Sequence, residues 1–236
     1  EKTNLMGGYF KRFSFRLSNM IPKIIHQIWL GDRNRMPKEL MKTWKETYPT
    51  WKYMLWTEDN LPNLRTKKQF DTLYESEKWN ACADLLRYEL LYNMGGWFVD
   101  ADSISLRAIP DKFLNNTAFA AFENETLVKG YEHLVANGYL ASEPGTELMK
   151  KVILNITEMS DDYLNRLPYG QMCSITGPYL LTSTIKQVDA FDDIKVFPSY
   201  YFMPTHYSGI KYEGYDSYSD QLWGTLNYDR VYKKVE

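Results

Sequence analysis

Two carboxylates stand two positions apart behind a short apolar run: Gly95 to Ser103 reads GGWFVDADS, with Asp100 and Asp102 flanking Ala101. On a strand, residues i and i+2 face the same side, so the spacing predicts both carboxylates aimed in one direction. Like charges so placed raise each other's pKa unless a cation lies between them. A hard divalent ion such as Mn2+ or Mg2+, which takes one or two carboxylates and fills its shell with substrate phosphates and water, meets that demand. No Cys or His accompanies the pair, which disfavours zinc. Two other readings stand beside this one: a solvated strand end without chemistry, and the nucleophile and acid of a dehalogenase-type phosphatase. The phosphatase reading expects the motif near the first strand and a small hydroxyl residue two positions on, where this chain has Ile104.

Asp84 and Arg87 come next, at i and i+3 on one face of a predicted helix over 78–94 that delivers them toward the GG turn. An arginine fork there suits a sugar hydroxyl or a phosphate oxygen, while an ordinary helix ion pair explains the same spacing. The three histidines share no spacing. His26 reads as a hydrogen-bonded packing residue inside a strand, His133 carries no motif, and His206, in MPTHYSG, is a candidate for the acceptor or phosphate side. Cys82 and Cys173 fit no metal-ligand pattern. They read as free thiols, which suggests a reducing, cytoplasmic setting.

The elements that must position these groups alternate in type. KIIHQIWLG (23–31) and WKYMLWTED (51–59) read as strands around a helix at 37–49 that Pro37 opens and Pro49 closes. Gly95 falls where the 78–94 helix needs a left-handed terminal residue. WFVDADSISL (97–106) reads as one strand, AFAAFEN (118–124) as another and IKVFP (194–198) as a late one, with helices at 144–159 and 176–188. Strands separated by helices imply an α/β fold with a largely parallel central sheet, whose ligands sit at the carboxyl ends of the strands. One domain is expected over 21–236, after an extension or leader at 1–20 that Met20 bounds as a natural start. The tyrosine-rich stretch at about 199–228 reads as a long loop that closes over a ligand.

Composition narrows the classes. With 236 residues, 44% hydrophobic and 25% charged, the chain can bury a sizeable core. A net charge of -2 offers no global field for nucleic acid. No run approaches the length of a membrane span, although FKRFSFRL (10–17) suits peripheral contact with an anionic membrane surface. Sequons at Asn115, Asn124 and Asn155 are within chance.

The run ADLLRYELLYNMGGWFVDADS (83–103) resembles the hallmark of glycosyltransferase family 32, which includes the yeast initiating mannosyltransferase-like and bacterial capsular polysaccharide transferases. That family shares its layout with the clostridial glucosylating toxins. IPKIIHQIWLG, YPTWKYMLWTEDN, NGYLASEPG (137–145), TGP (176–178) and QLWG (221–224) extend the resemblance over about residues 21–226. It implies a GT-A fold, a nucleotide-binding α/β/α sandwich, with Mn2+ or Mg2+ and sugar transfer with retention from a nucleoside diphosphate.

Carried over by position, Asp102 and Asp100 match the metal and diphosphate motif around Ala101, with Asp102 the more direct ligand and Asp100 nearer ribose and sugar. Asp84 and Arg87 match the pair that holds donor-sugar hydroxyls, and Trp29 the aromatic that stacks on the base, with Ile28 giving backbone contacts; a core role also fits Trp29. Asn137 falls beside the anomeric carbon, or is simply a turn-forming Asn before Gly138. Phe98 replaces the family's usual tyrosine. Gln221 replaces a common histidine and, with Trp223, is expected in the lid, Gln221 on the metal or diphosphate. The implied partners are a nucleotide-sugar donor, UDP favoured, and a glycan, lipid-linked or protein acceptor. Toxin-like protein glucosylation and a non-catalytic sugar-nucleotide-binding module are the alternatives.

Overall fold

The structure, a computed structural model, describes residues 20–125, 134–188 and 193–224. The expected extension before Met20, His133 and the last residues of the expected lid lie outside the described residues. In chain order the main elements are β1 (Ile24–Ile28), α1 (Lys38–Thr47), β2 (Lys52–Trp56), α2 (Lys67–Glu75), α3 (Trp79–Met94), β3 (Gly96–Val99) and β4 (Ser103–Ser105). There follow β5 (Ala118–Phe122), β6 (Val135–Ser142), α4 (Glu147–Thr157), α5 (Asp161–Arg166), α6 (Met172–Ile175), α7 (Pro178–Gln187), β7 (Ile194–Phe197) and β8 (Ser219–Gln221).

Six strands form the central sheet in the order β2-β1-β3-β6-β5-β7. β1 runs parallel to β2 and β3, and β5 parallel to β7, while β6 is antiparallel to both β3 and β5. The sheet is therefore mostly parallel, and the carboxyl ends of β1, β2, β3, β5 and β7 share one edge. One face is covered by α2, α3, α4 and α7, whose Phe70, Leu85, Leu86, Val152, Ile153 and Leu181 are buried together. The opposite face carries Trp44 of α1 and a mass of aromatic rings centred on Trp97, which meets Trp44 at 5.2 Å and Phe119 and Phe202 at 5.6 Å each. The result is an α/β/α sandwich with one thick helical layer and one thin aromatic layer.

The two glycines before β3 have distinct tasks. Gly95, at φ +63°, ends α3 in the left-handed region and donates its N–H to Leu91 O. Gly96, at φ +107°, lies so close to β1 that a Cβ there would meet Ile24 O at 2.8 Å. The helix therefore turns directly into the middle of the sheet.

Three expectations are corrected. WFVDADSISL is two strands: β3 stops at Val99, a turn carries Asp100 to Asp102, and β4 leaves the sheet to pair with β8. The turn forms because Asp100 O accepts from Gln27 Nε2 (3.1 Å) and Ser103 Oγ (2.5 Å) while Asp102 O accepts from Leu222 N. Asp100 and Asp102 are thus not alternate residues of one strand. Asn137 and Gly138 form no turn; they sit in β6, which is buried along its length. The segment from 199 is no structureless loop either, since Phe202, Met203 and Tyr218 belong to the thin-layer core and β8 closes onto β4.

Phe202→Ala should cost about 3–5 kcal/mol of folding free energy in chemical denaturation. A loss below about 1 kcal/mol would show that this segment is a detachable cover and no part of the core.

Candidate active site

The site forms at the carboxyl end of β3, where α3, β6 and the C-terminal segment converge on the turn. Arg87 projects from α3 as one guanidinium serving two carboxylates: Nη2 lies 3.2 Å from Asp84 Oδ1 and 3.3 Å from Asp100 Oδ1. Its flat face rests 4.2 Å above the Phe98 ring, which contributes cation–π attraction. Phe98 itself is 2% exposed. Its contact with the site runs through Arg87, under whose guanidinium its ring lies.

Asp84 is buried and held on both oxygens. Asn137 Nδ2 donates to Oδ1 and Thr176 Oγ1 to Oδ2, each at 2.8 Å. Asn137 Nδ2 also lies 3.1 Å from Tyr88 Oη. The period of β6 and the start of the α7 region thereby converge on one carboxylate of α3. Asp100 N donates to Gly138 O, and a Cβ on Gly138 would collide with Asp100 Oδ2. A side chain there would displace the carboxylate, so the close approach explains the glycine.

Asp102 faces the C-terminal segment. Gln221 Nε2 donates to Oδ1 at 2.8 Å and Gly224 N to Oδ2 at 2.5 Å. The other end of the Gln221 amide is also engaged, its Oε1 accepting from Tyr139 OH at 3.0 Å. In this arrangement Gln221 orients Asp102. Trp223, between these two donors, takes φ +55°, a backbone region costly for a bulky residue. Its indole N–H donates to Thr205 O.

The electrostatics follow from burial. Desolvation pushes the Asp84 and Asp100 carboxyls up, against the pull of Arg87. Burial and then the neighbouring Asp100 charge push Asp102 up to about 6. Arg87 pairs with Asp84 and Asp100, and Asp102 beside them meets no cation, so the ionised cluster of three carboxylates carries about two negative charges in excess. Among the described residues no group of three or more His, Cys, Asp or Glu side chains is placed to hold an ion alone. The donor set therefore fits a dication whose shell a ligand's oxygens complete.

The other sequence candidates fall as follows. Ile28 is buried at the end of β1, and Trp29 follows it, half-buried, its indole N–H donating to Asp32 O. Ala101 is at the crest of the turn. His26 bridges Trp56 Nε1 and Gly95 O, and burial lowers it to about 4, so it packs as a neutral ring. His206 is buried beside Trp223 and Tyr207. Cys82 is a buried free thiol that desolvation raises to about 12. Sequence reading missed Gln27, Tyr139, Thr176 and Gly224. Gln27, polar beside His26 in β1, was one available signal; Tyr139, Thr176 and Gly224 lie inside the quoted NGYLASEPG, TGP and QLWG segments, but their roles depend on contacts across 80 or more residues.

A mixed sandwich with an acidic turn leading out of its third strand, backed by an Asp and Arg pair, defines a GT-A glycosyltransferase fold. Residues 35–120, a segment that holds Asp84, Arg87, Asp100 and Asp102, match the family described as "Glycosyltransferase sugar-binding region containing DXD motif". The chain is 29% identical over 171 residues to inositol phosphoceramide mannosyltransferase 3 of Schizosaccharomyces pombe, covering 70% of this chain and 45% of that protein. It is 27% identical over 194 residues to mannosyl phosphorylinositol ceramide synthase CSH1 of Saccharomyces cerevisiae, covering 79% and 48%. The chain thus spans about half the length of these relatives. Among solved structures, the PaToxG glycosyltransferase superposes with a TM-score of 0.56 at 14% identity, covering 73% of this chain and 72% of that one. No helix among the described residues is long and apolar enough to cross a membrane.

A carboxyl whose pKa is higher in the folded chain stabilises the fold while protonated. For Asp102 that stabilisation is full below its ordinary value of 3.8 and gone above about 6. Without divalent cations, the wild type should therefore lose stability relative to Asp102→Asn between pH 4 and pH 7 in paired denaturation curves. A gap that stays constant, or moves the other way, contradicts the assigned electrostatics.

Proposed function

We propose that this chain transfers a sugar from a nucleoside diphosphate sugar to an acceptor hydroxyl, with a divalent cation, Mn2+ or Mg2+, shared between the acidic turn and the donor diphosphate. The single observation that carries the reading is the turn itself: Asp100 and Asp102, half-buried at the sheet mouth with more negative charge around them than Arg87 can balance. Such an ion, when bound, would neutralise charge on the departing diphosphate and orient it.

The protein's own groups supply orientation. Arg87, fixed by Asp84 and by the Phe98 ring, presents its remaining N–H groups toward the donor; its buried Nε has no hydrogen-bond partner within the protein. Asp84, with both oxygens held by Thr176 and Asn137, keeps Arg87 in place and contributes to the wall facing the sugar. Trp29 and Ile28, at the end of β1, flank the place for the base. Gln221 and Trp223 bring the C-terminal segment over the diphosphate, Gln221 as the residue that aims Asp102.

Asp84 and Asp102 are each held on both oxygens by protein donors, so we assign no protein base to the reaction. In the retaining course the leaving phosphate takes the acceptor proton from the same face. The sugar is proposed as mannose on the strength of the relatives' names; a UDP-sugar is the donor the toxin-like layout favours. The acceptor is a glycan or lipid-linked hydroxyl.

Incubation with UDP-hexoses and with mannose nucleotides in the presence of Mn2+ should give donor hydrolysis that EDTA abolishes. Asp102→Asn should lower it at least about 100-fold, the scale of losing one electrostatic contact to a transition state, with melting behaviour preserved. Hydrolysis that survives either treatment refutes metal-assisted transfer at this turn.

A further inference from the structure

The stretch between β7 and β8 carries a feature that the donor site does not use. Residues 204–212 fold into a hairpin, closed by the Thr205–Lys211 bridge and by bonds from Tyr212 N to Pro204 O and from His206 N to Ile210 O, each 2.9 Å. Near its tip stands Tyr207, 51% exposed, with its ring 4.0 Å from His206 and 5.1 Å from Trp223. Trp223 lies between Gln221 and Gly224, the two residues that hold Asp102. Tyr207 is therefore joined to the acidic turn by a short series of contacts.

The other end of the hairpin leads to a second group of rings. Tyr212 lies 5.9 Å from Tyr200, and the Tyr200 ring meets Tyr215, which is 54% exposed, at 4.1 Å and a tilt of 34°. Carboxylates line the route: Glu125 accepts from Tyr212 OH (3.1 Å) and Ser199 Oγ (2.5 Å), and Glu123 lies 3.6 Å from His206. Tyr212 stands five positions after Tyr207, at most about 18 Å of chain.

Exposed tyrosine faces on a surface whose carboxylates are held by the protein's own donors suit a ligand that offers C–H faces to the rings and brings no negative charge. A neutral sugar ring does both. The charge of the segment narrows the choice. Residues 199–224 carry Glu213, Asp216 and Asp220 against Lys211, and Glu123 and Glu125 add to the acidic side. An anionic lipid head group would be repelled, whereas a neutral carbohydrate would not.

We infer that the hairpin and the Tyr200–Tyr215 pair form an acceptor subsite for a neutral glycan of at least two rings. The ring bearing the accepting hydroxyl rests on Tyr207 beside Trp223, and the following rings extend toward Tyr215. The inference rests on the proposed transferase reading for its orientation, but the binding surface is independent of turnover.

The test uses saturation-transfer NMR with neutral manno-, gluco- and galacto-oligosaccharides of one to four units, alongside donor hydrolysis without acceptor. The wild type should bind at least one series, more tightly as the chain lengthens. Tyr207→Ala should weaken every length about threefold to tenfold, the scale of one aromatic contact. Tyr215→Ala should weaken only the longer chains, Tyr207→Phe and Tyr215→Phe should restore binding, and donor hydrolysis should stay unchanged in both Tyr215 variants. Absence of oligosaccharide binding by the wild type, binding instead to phosphatidylinositol vesicles, or alanine variants that bind as the wild type does would overturn the subsite. Oligosaccharide binding in a wild type that hydrolyses no donor would leave the subsite standing and remove the transferase reading.

Discussion

The arrangement depends on an imbalance of charge at the end of β3. Arg87 pairs with buried Asp84 and half-buried Asp100, Asp102 stands beside Asp100 in the turn, and one guanidinium cannot neutralise three carboxylates. Burial of unbalanced charge is costly. Proteins keep such clusters where a ligand supplies the missing charge or where shifted protonation serves the chemistry. The surrounding structure holds the cluster in place: Gln27 and Ser103 fix the Asp100 carbonyl, Gly138 leaves room for its carboxylate, and Thr176 and Asn137 hold Asp84.

The C-terminal segment is tied into the same frame. Its apolar residues complete the thin side of the sandwich, stacking Phe202 on Tyr139 at 5.4 Å, while Tyr139 OH reaches Gln221. Its polar end then closes on Asp102 through Gln221 and Gly224. Core packing thereby determines where the carboxylate points, and the left-handed Trp223 stores some backbone strain at the junction. One segment links the folded core, the acidic turn and the tyrosine-lined hairpin.

Much of this could be read from residue order. Pro37, Gly95 and Gly96 mark boundaries by their own backbone chemistry, so α1, α3 and the start of β3 were legible locally. The DXD spacing and the Asp84 and Arg87 pair led to the acidic site, and the family resemblance to its fold class. The turn at Asp100 was not legible, because Gln27, Ser103 and Leu222 impose it from outside an otherwise strand-like run. β6 was missed because Asn137-Gly138 has the composition of a turn, and only the neighbouring strands on both sides override it. The role of the 199–221 stretch was concealed for a related reason. Its aromatic residues follow neither helical nor strand periodicity, since they fill gaps between distant elements.

The central claim is that the excess negative charge at this turn is the seat of a divalent cation shared with a donor diphosphate. Anomalous scattering from a crystal soaked with Mn2+ and a nucleoside diphosphate tests it most directly. A manganese peak within coordinating distance of Asp102 and of the diphosphate oxygens, on the side of the turn that Asp100 also faces, is the predicted result. A diphosphate bound elsewhere, or manganese found only on surface carboxylates while the turn stays as it is, would contradict the account.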